Sequence, residues 1–558
     1  MRLFEDTAVS IGASSISGNG GVYVGLVGAQ KRAGRWGPEY PGFVQGRSNG
    51  AGSCGTRQES VSTALWTPNK FRPVTRGEEP ACGGLLLPKT VKMRALCGGE
   101  AMWRGIKRVY RAGVAASLLI VAAAWSGRDG ARAQSDLDAR AGKQLDSLIA
   151  IYKQLHGNPE LSTQEEQTSA LIAKELRAAG FEVTDHFGQY ALPETKAYGV
   201  VAVLRNGAGP TVMVRTDMDA LPIVENTGAQ YASKVRVKRA DGTDVGVMHA
   251  CGHDVHMAVF VGVARLLVQT KDQWSGTLVM IGQPAEEAIG GASAMLRAGL
   301  YTKFPKPQYV LALHDTNAVP TGKVSWRPGT LLAGADSVDI TVRGVGGHAA
   351  APQAGKDPIV IASEIVVALQ TVVSREMDPQ VPTVVTVGTF HAGTKNNIIP
   401  DEAKLQLTVR TMNPQHREKV LASIARIVNG IAAAAGVPAD RAPMIEVSPD
   451  HVPATVNDPE LTRRVAGALE RALGKENVLA GEPVMASEDF SLYALEEPKP
   501  PISMFWLGAV DPEKWKQAKE KGTRLPGPHS SEFLPVPEPT IRTGVTAMSG
   551  AVMDLMRK

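Results

Sequence analysis

The ten residues 247–256, VMHACGHDVH, hold His249, Cys251, His253, Asp254 and His256, a density of donors that a metal site requires. Cys251 and His253 flank one glycine, so in an extended or turn conformation both side chains face the same side and can reach one ion or two adjacent ones. No second cysteine pair follows to close a structural zinc site, which favours an open, catalytic centre. Further donors lie downstream. Glu286 and Glu287 are adjacent in GQPAEEAIGGA; such a pair is ordinarily a solvated turn, but here it suits a site needing one carboxylate as ligand and another to take a proton from water. His314 ends an apolar run, and His529 lies in LPGPHSSEF, where prolines stiffen the backbone that aims it. Asp217 and Asp219 in RTDMDALP share a face by their spacing of two, either as ligands or as partners that orient a ligand.

Such scattered donors need a scaffold that gathers them. Strand-like runs at Gly199 to Leu204, Thr211 to Val214, Thr277 to Ile281, Tyr309 to Leu313 and Ile502 to Leu507 each lead into a polar loop, and several of these loops are followed by a helical pattern such as Met257 to Gln269. Strand, donor-bearing loop, helix is the rhythm of a mostly parallel α/β sheet whose loops meet at one edge. Between residues 333 and 441 the rhythm changes to strand, helix, strand, strand, helix, a compact α+β unit inserted in the main domain. The catalytic domain is therefore expected over 134–332 and 442–558, with the insertion at 333–441. His348, Asn397 and Arg410 are the polar candidates in that insertion.

The 558 residues are 43% hydrophobic and 21% charged, which suits a soluble protein of two or three domains. The net charge of +5 is unevenly placed: residues 1–133 hold 18 of the 60 Lys and Arg but only 8 of the 55 Asp and Glu. The body is thus net acidic and offers nothing to nucleic acid. Cys251 is the body's only cysteine, the other three lying before residue 98, so it cannot close an internal disulfide there. Residues 1–101 read as loop or disorder, a non-native upstream extension. From Met102 a basic start, an apolar run over 112–125 and the triplet Ala131-Arg132-Ala133 have the layout of a secretory signal peptide, 102–133, with no stable membrane anchor after cleavage.

The segments HGNPELS, RTDMDALPIVE, VMHACGHDVHMA, GQPAEEAIGGA, RGVGGHAAAP, NIIPDEA and SEDF, in that order, carry a resemblance over about residues 140–556. The chain resembles the aminoacylase and carboxypeptidase G family of metallopeptidases, in its hippurate-hydrolase-like branch of N-acyl-amino-acid amidohydrolases. The resemblance implies two divalent ions, zinc or manganese, held by Cys251, His253, Glu287, His314 and His529, with Glu286 as general base. It also implies an inserted ferredoxin-like dimerisation or lid domain, through which His348 reaches the partner's active site in a homodimer while Asn397 and Arg410 help to hold substrate. Two departures bear on substrate preference: Gln353 stands where related sequences often have histidine, and HDTN after His314 is unusual.

The expected function is metal-dependent hydrolysis of a C–N amide bond in an N-acyl amino acid or short peptide, by a secreted or periplasmic enzyme. A carboxypeptidase or N-acetyl-diaminopimelate deacetylase is the enzymatic alternative. A metal-bearing binding protein without turnover is the other, although a pure binder has no need of a proton shuttle beside its ligands. The mature protein is expected to begin near Gln134. N-terminal sequencing of the exported protein checks this, and residues before Met93 in the mature form would refute it.

Overall fold

The computed structural model describes residues 136–238, 242–449 and 451–558. The signal-peptide segment 102–133 and the extension before it lie outside the described residues. In chain order come α1 (Leu145–Gly157), α2 (Glu166–Ala178), β1 (Glu182–Phe187), β2 (Gly199–Asn206), β3 (Thr211–Asp217), α3 (His253–Gln269), β4 (Gly276–Gln283), β5 (Tyr309–Pro320) and β6 (Val324–Trp326). Then follow β7 (Gly334–Arg343), α4 (Pro358–Thr371), β8 (Thr383–Ala392), β9 (Glu402–Thr411), α5 (Pro414–Ala434) and β10 (Met444–Val447). The chain continues with α6 (Pro459–Leu473), β11 (Val478–Ala480), β12 (Ile502–Val510) and α7 (Pro537–Leu555).

Eight strands form one mixed sheet in the order β1-β2-β4-β3-β5-β12-β6-β11. Its centre, β4, β3, β5 and β12, is parallel, while β1 and β2 add antiparallel strands at one edge. The central strands read as continuous apolar runs because both faces are covered. Val212 and Val214 join the core under α1, α3 and α7, while Met213 between them joins the opposite core with Val279, Phe490 and Tyr493. The helix layer packs tightly: a Cβ on Gly262 of α3 would lie 2.5 Å from Val545 of α7.

Four strands form a second, antiparallel sheet, β8-β9-β7-β10, with an unbroken register between β7 and β9 from Gly334↔Thr411 to Arg343↔Glu402. Helices α4 and α5 cover it through Ile365, Leu369, Val420 and Ile424. The helical run from Pro358 to Glu376 is apolar and long enough to cross a membrane by length and composition, yet Ile361, Ile365 and Leu369 are committed to this core. Ile359, Val360 and Val367 stay exposed. Strand β10 pairs Val447 with Val338, so the sheet continues past residue 441; four residues after a proline carry too little alternation to be read as a strand.

Two further boundaries differ from the sequence reading. Helix α3 starts at His253, not Met257, because Gly252 in a left-handed conformation (φ 75°) turns the chain directly into it. Strand β5 does not stop before His314. It runs on to Pro320, paired to β12 at His314↔Trp506 and Asp315↔Leu507, so His314 projects from a strand rather than from a loop.

Candidate active site

The parallel centre delivers its donors at the carboxyl ends of the strands. Donor atoms of Cys251, His253 and His314 lie within 4.8 Å of one another, as do those of Cys251, Glu287 and His529, and those of His253, Glu286 and Glu287. Cys251 Sγ is 3.5 Å from His314 Nε2, and His529 Nε2 is 3.3 Å from Glu287 Oε2. The structure therefore brings together all five residues expected as ligands, with Glu286 beside them. His253 is fully buried and its Nδ1 donates to the carbonyl of Asp219 at 2.8 Å, which leaves Nε2 bare and aimed at the cluster. His314 is held alike, Nδ1 donating to the Asp315 carbonyl at 2.7 Å. His529 takes a left-handed conformation (φ 67°), and its amide donates to the Ala250 carbonyl at 2.7 Å, pinning the loop beside Cys251.

Three consecutive amides hold the carboxylate pair in place. Ala285 N–H donates to Glu165 Oε1 at 2.8 Å, Glu286 N–H to Asp219 Oδ1 at 3.1 Å and Glu287 N–H to Asp219 Oδ2 at 3.0 Å. These bonds stabilise a turn in which Ala285 itself has φ 47°, an unfavourable conformation for a residue with a Cβ. Asp219 is thus a bracket for the glutamate pair, further fixed by the Ser162 hydroxyl at 2.6 Å.

Asp217 has a different duty. Its Oδ1 accepts from His256 Nδ1 at 2.7 Å and its Oδ2 from Arg215 at 2.6 Å, while Oδ2 stands 3.8 Å from His253 Nε2. The Asp315 amide lies 2.8 Å from His256 Nε2, so the ring is held at both nitrogens. Fully buried Arg215 joins Asp217 to Glu488 (2.6 Å) and Asp489 (3.3 Å), with Gln283 bonded to both Arg215 and Asp489. Glu488 also caps the short turn that follows it, accepting from Phe490 N–H at 3.2 Å, so its capping and site-building roles coexist. His249 is buried without a hydrogen-bond partner, and burial pushes it down to about 4, a neutral ring.

The residues of the second sheet stand apart from the cluster. His348 and Asn397 are exposed, and the amide of Ala349, next to His348, donates to the Asn397 carbonyl at 3.2 Å. His348 Nδ1 accepts from the Ala350 amide at 3.0 Å, so Nε2 carries the proton and can donate. Neither residue hydrogen-bonds the metal-donor cluster among the described residues. Arg410 is half-buried, bonded to the hydroxyls of Ser487 and Thr408 and, among the described residues, to no carboxylate.

The donor set fits divalent cations. His253 Nε2 and Glu287 Oε1 are buried polar atoms without partners, both facing the cluster. Burial and the nearby Glu287 and Glu286 hold the Cys251 thiol well above its ordinary value, so a thiolate there needs a positive charge beside it. Burial, then Glu488 and Glu287, also holds Glu286 well above the usual carboxylate range. Glu165, Arg215, His156 and Asp315 escaped the sequence reading. Each sits in or beside a segment singled out there, and their polar character next to buried runs was the available signal.

Residues 213–522 match the model of peptidase family M20/M25/M40. The chain is 38% identical over 405 residues to thermostable carboxypeptidase 2 of Saccharolobus solfataricus, covering 72% of this chain and 93% of that protein. It is 37% identical over 346 residues to hippurate hydrolase of Campylobacter jejuni, covering 62% of this chain and 84% of that one. A dinuclear metal-binding peptidase of the M20 family from Bacillus subtilis superposes with a TM-score of 0.59 at 29% identity, over 74% of this chain and 99% of the other.

Behind the cluster, His156 lies between two acids, 2.6 Å from Asp254 and 3.0 Å from Glu225. Burial opposes charge on His156, but the two carboxylates outweigh it and push the ring up to about 10. A folded-state value raised above the unfolded one contributes stability below about pH 6.5 that is lost as pH climbs towards 10. For the metal-free protein, the urea midpoint of wild type is expected to fall from pH 6.5 to 10 more steeply than that of His156→Gln. Equal slopes in the two proteins would remove His156 as the source.

Proposed function

The chain belongs to peptidase family M20/M25/M40, and from that premise we propose that it hydrolyses the amide bond of N-acyl amino acids with a binuclear centre of zinc or manganese. Cys251, His253, Glu287, His314 and His529 would hold the ions. The observation that carries this reading is the cluster itself: five donors from four separated segments, with Cys251 common to two triads and Glu286 alongside. Bound there, divalent cations supply the Lewis acidity that polarises an amide carbonyl and acidifies water.

The chain's own residues then divide the proton work. The Glu286 carboxylate accepts a proton from the attacking water as the C–O bond forms, and returns it to the amide nitrogen as the C–N bond breaks. Its buried position beside Glu488 and Glu287 gives it the high proton affinity that this two-way task needs. His348 of a partner subunit donates from Nε2 to the developing oxyanion. Its exposure on a single chain, and the exposed Val360, Val367 and edge strand β8 of the same layer, support a homodimer in which that sheet makes the contact. Arg410, which among the described residues bonds hydroxyls and no acid, and Asn397 would hold the substrate's polar end. A hippurate hydrolase among the relatives favours acyl amino acids, and a carboxypeptidase among them keeps short peptides as the second substrate class. The signal-peptide layout of 102–133 supports export to the periplasm or beyond.

The test is hydrolysis of a panel of N-acyl amino acids and dipeptides with added zinc or manganese, and no turnover of any of them with either ion overturns the assignment. Glu286→Gln is expected to retain metal while losing on the order of 10² or more in kcat. Near-wild-type turnover by that variant would remove Glu286 as the base.

A further inference from the structure

Asp315 follows directly on His314 in the unusual segment HDTN, and the mechanism above makes no use of it. Its side chain is fully buried, and among the described residues neither carboxylate oxygen has a hydrogen-bond partner. The two nearest ring nitrogens are His256 Nε2 at 3.4 Å and His314 Nδ1 at 3.5 Å, and both are already engaged by Asp315's own backbone, the first by its amide and the second by its carbonyl. The acid is also wedged under the Cys251–Gly252–His253 turn. A Cβ at residue 252 would lie 2.1 Å from Asp315 Oδ2 and 2.5 Å from its Cγ, so only glycine lets the turn pass over the carboxylate. A buried carboxylate without donors is costly unless a positive charge lies close by. Three sides of this one are closed by groups that hold the expected metal donors: His314, His256 with its Asp217 anchor, and the turn carrying Cys251 and His253.

We propose that Asp315 is a built-in counter-charge for the metal centre, a positioning residue that touches no ion, tightens divalent-cation binding and makes the metal-free protein less stable. The inference rests on the metal-binding reading given above. Through His314, which it flanks at both backbone and side chain, it adds negative charge behind an expected ligand. In the metal-free protein the nearest partners of that charge among the described residues are the His256 and His314 rings, at 3.4 and 3.5 Å.

Two quantities on the purified chain test this: affinity for zinc and for manganese, by competition with a chromophoric chelator, and the melting temperature after metal removal. Asp315→Asn and Asp315→Val are both expected to bind the ions at least about tenfold more weakly. Both should melt, metal-free, at or above the wild-type temperature. A residue of purely structural importance would instead lower the metal-free melting temperature and leave affinity unchanged. Unchanged affinity, or metal-free forms of both variants that melt lower or fail to fold, overturns the proposal. A wild-type chain that binds neither ion overturns the metal reading itself, an outcome separate from a wild type that binds while the variants bind equally well.

Discussion

Buried negative charge is the constraint on which the site is built. Asp217, Asp219, Glu286, Asp315, Glu488 and Asp489 are all buried, and the guanidinium of Arg215, itself fully buried, reaches only Asp217, Glu488 and Asp489. Carboxylates removed from water are tolerated when they accept hydrogen bonds, meet a cation or take up a proton. Each of these solutions is used here. Asp219 accepts two backbone amides and a hydroxyl; the Arg215 set is paired; and Asp489 is pushed up to about 7 by burial. Among the described residues Glu287 Oε1 and the Asp315 oxygens lack hydrogen-bond partners, and both acids lie at the donor cluster. The interior is electrostatically incomplete at the place where divalent cations would complete it.

The same interactions explain how distant segments are held in register. Arg215 stands at the end of β3, and its partners Glu488 and Asp489 come from a segment on the far side of the second sheet in sequence. Ser487, next to Glu488, carries the hydrogen bond to Arg410 on β9. A continuous set of polar contacts therefore runs from Arg410 in the antiparallel sheet, through Ser487, Glu488 and Arg215, to Asp217 and the His256 and His253 rings. The parallel sheet sets the coarse positions, and this network sets the side-chain orientations, because a bidentate or paired guanidinium fixes direction as well as distance.

How far the sequence exposes this follows from the kind of signal each feature leaves. The central strands and the helices of both layers were legible because burial imposes a period of two or a continuous apolar run on strands, and 3.6 on helices. The donor set was legible because Cys, His and paired Glu are rare at strand ends without a reason. The start of α3 and the extension of β5 were not, since HDVH and HDTN are polar inside hydrogen-bonded elements and break the very periodicity that marks an element. Strand β10 was too short to show a period. The bracket on the glutamate turn was invisible for another reason. Glu165 is 120 positions from Ala285, and its task is to receive one amide proton, which leaves no local pattern.

That bracket and the acid under Gly252 point to a common design rule in this chain. The groups that would touch substrate or metal, Glu286, Glu287, Cys251 and His253, lie on turns with residues in left-handed conformations, Ala285 and Gly252 among them. Turns of this kind do not hold themselves; for Ala285 the conformation is unfavourable in itself. Each is therefore locked by a buried carboxylate, Asp219 with Glu165 under one and Asp315 against the other. Under Ala285 both oxygens of Asp219 accept hydrogen bonds and Glu165 Oε1 accepts the Ala285 amide, while Glu165 Oε2 has no partner among the described residues. Under Gly252 neither oxygen of Asp315 has a hydrogen-bond partner among the described residues. The glutamate pair is held by the two amides that Asp219 accepts, whereas the Cys251–His253 turn passes over a carboxylate that a bound cation would compensate.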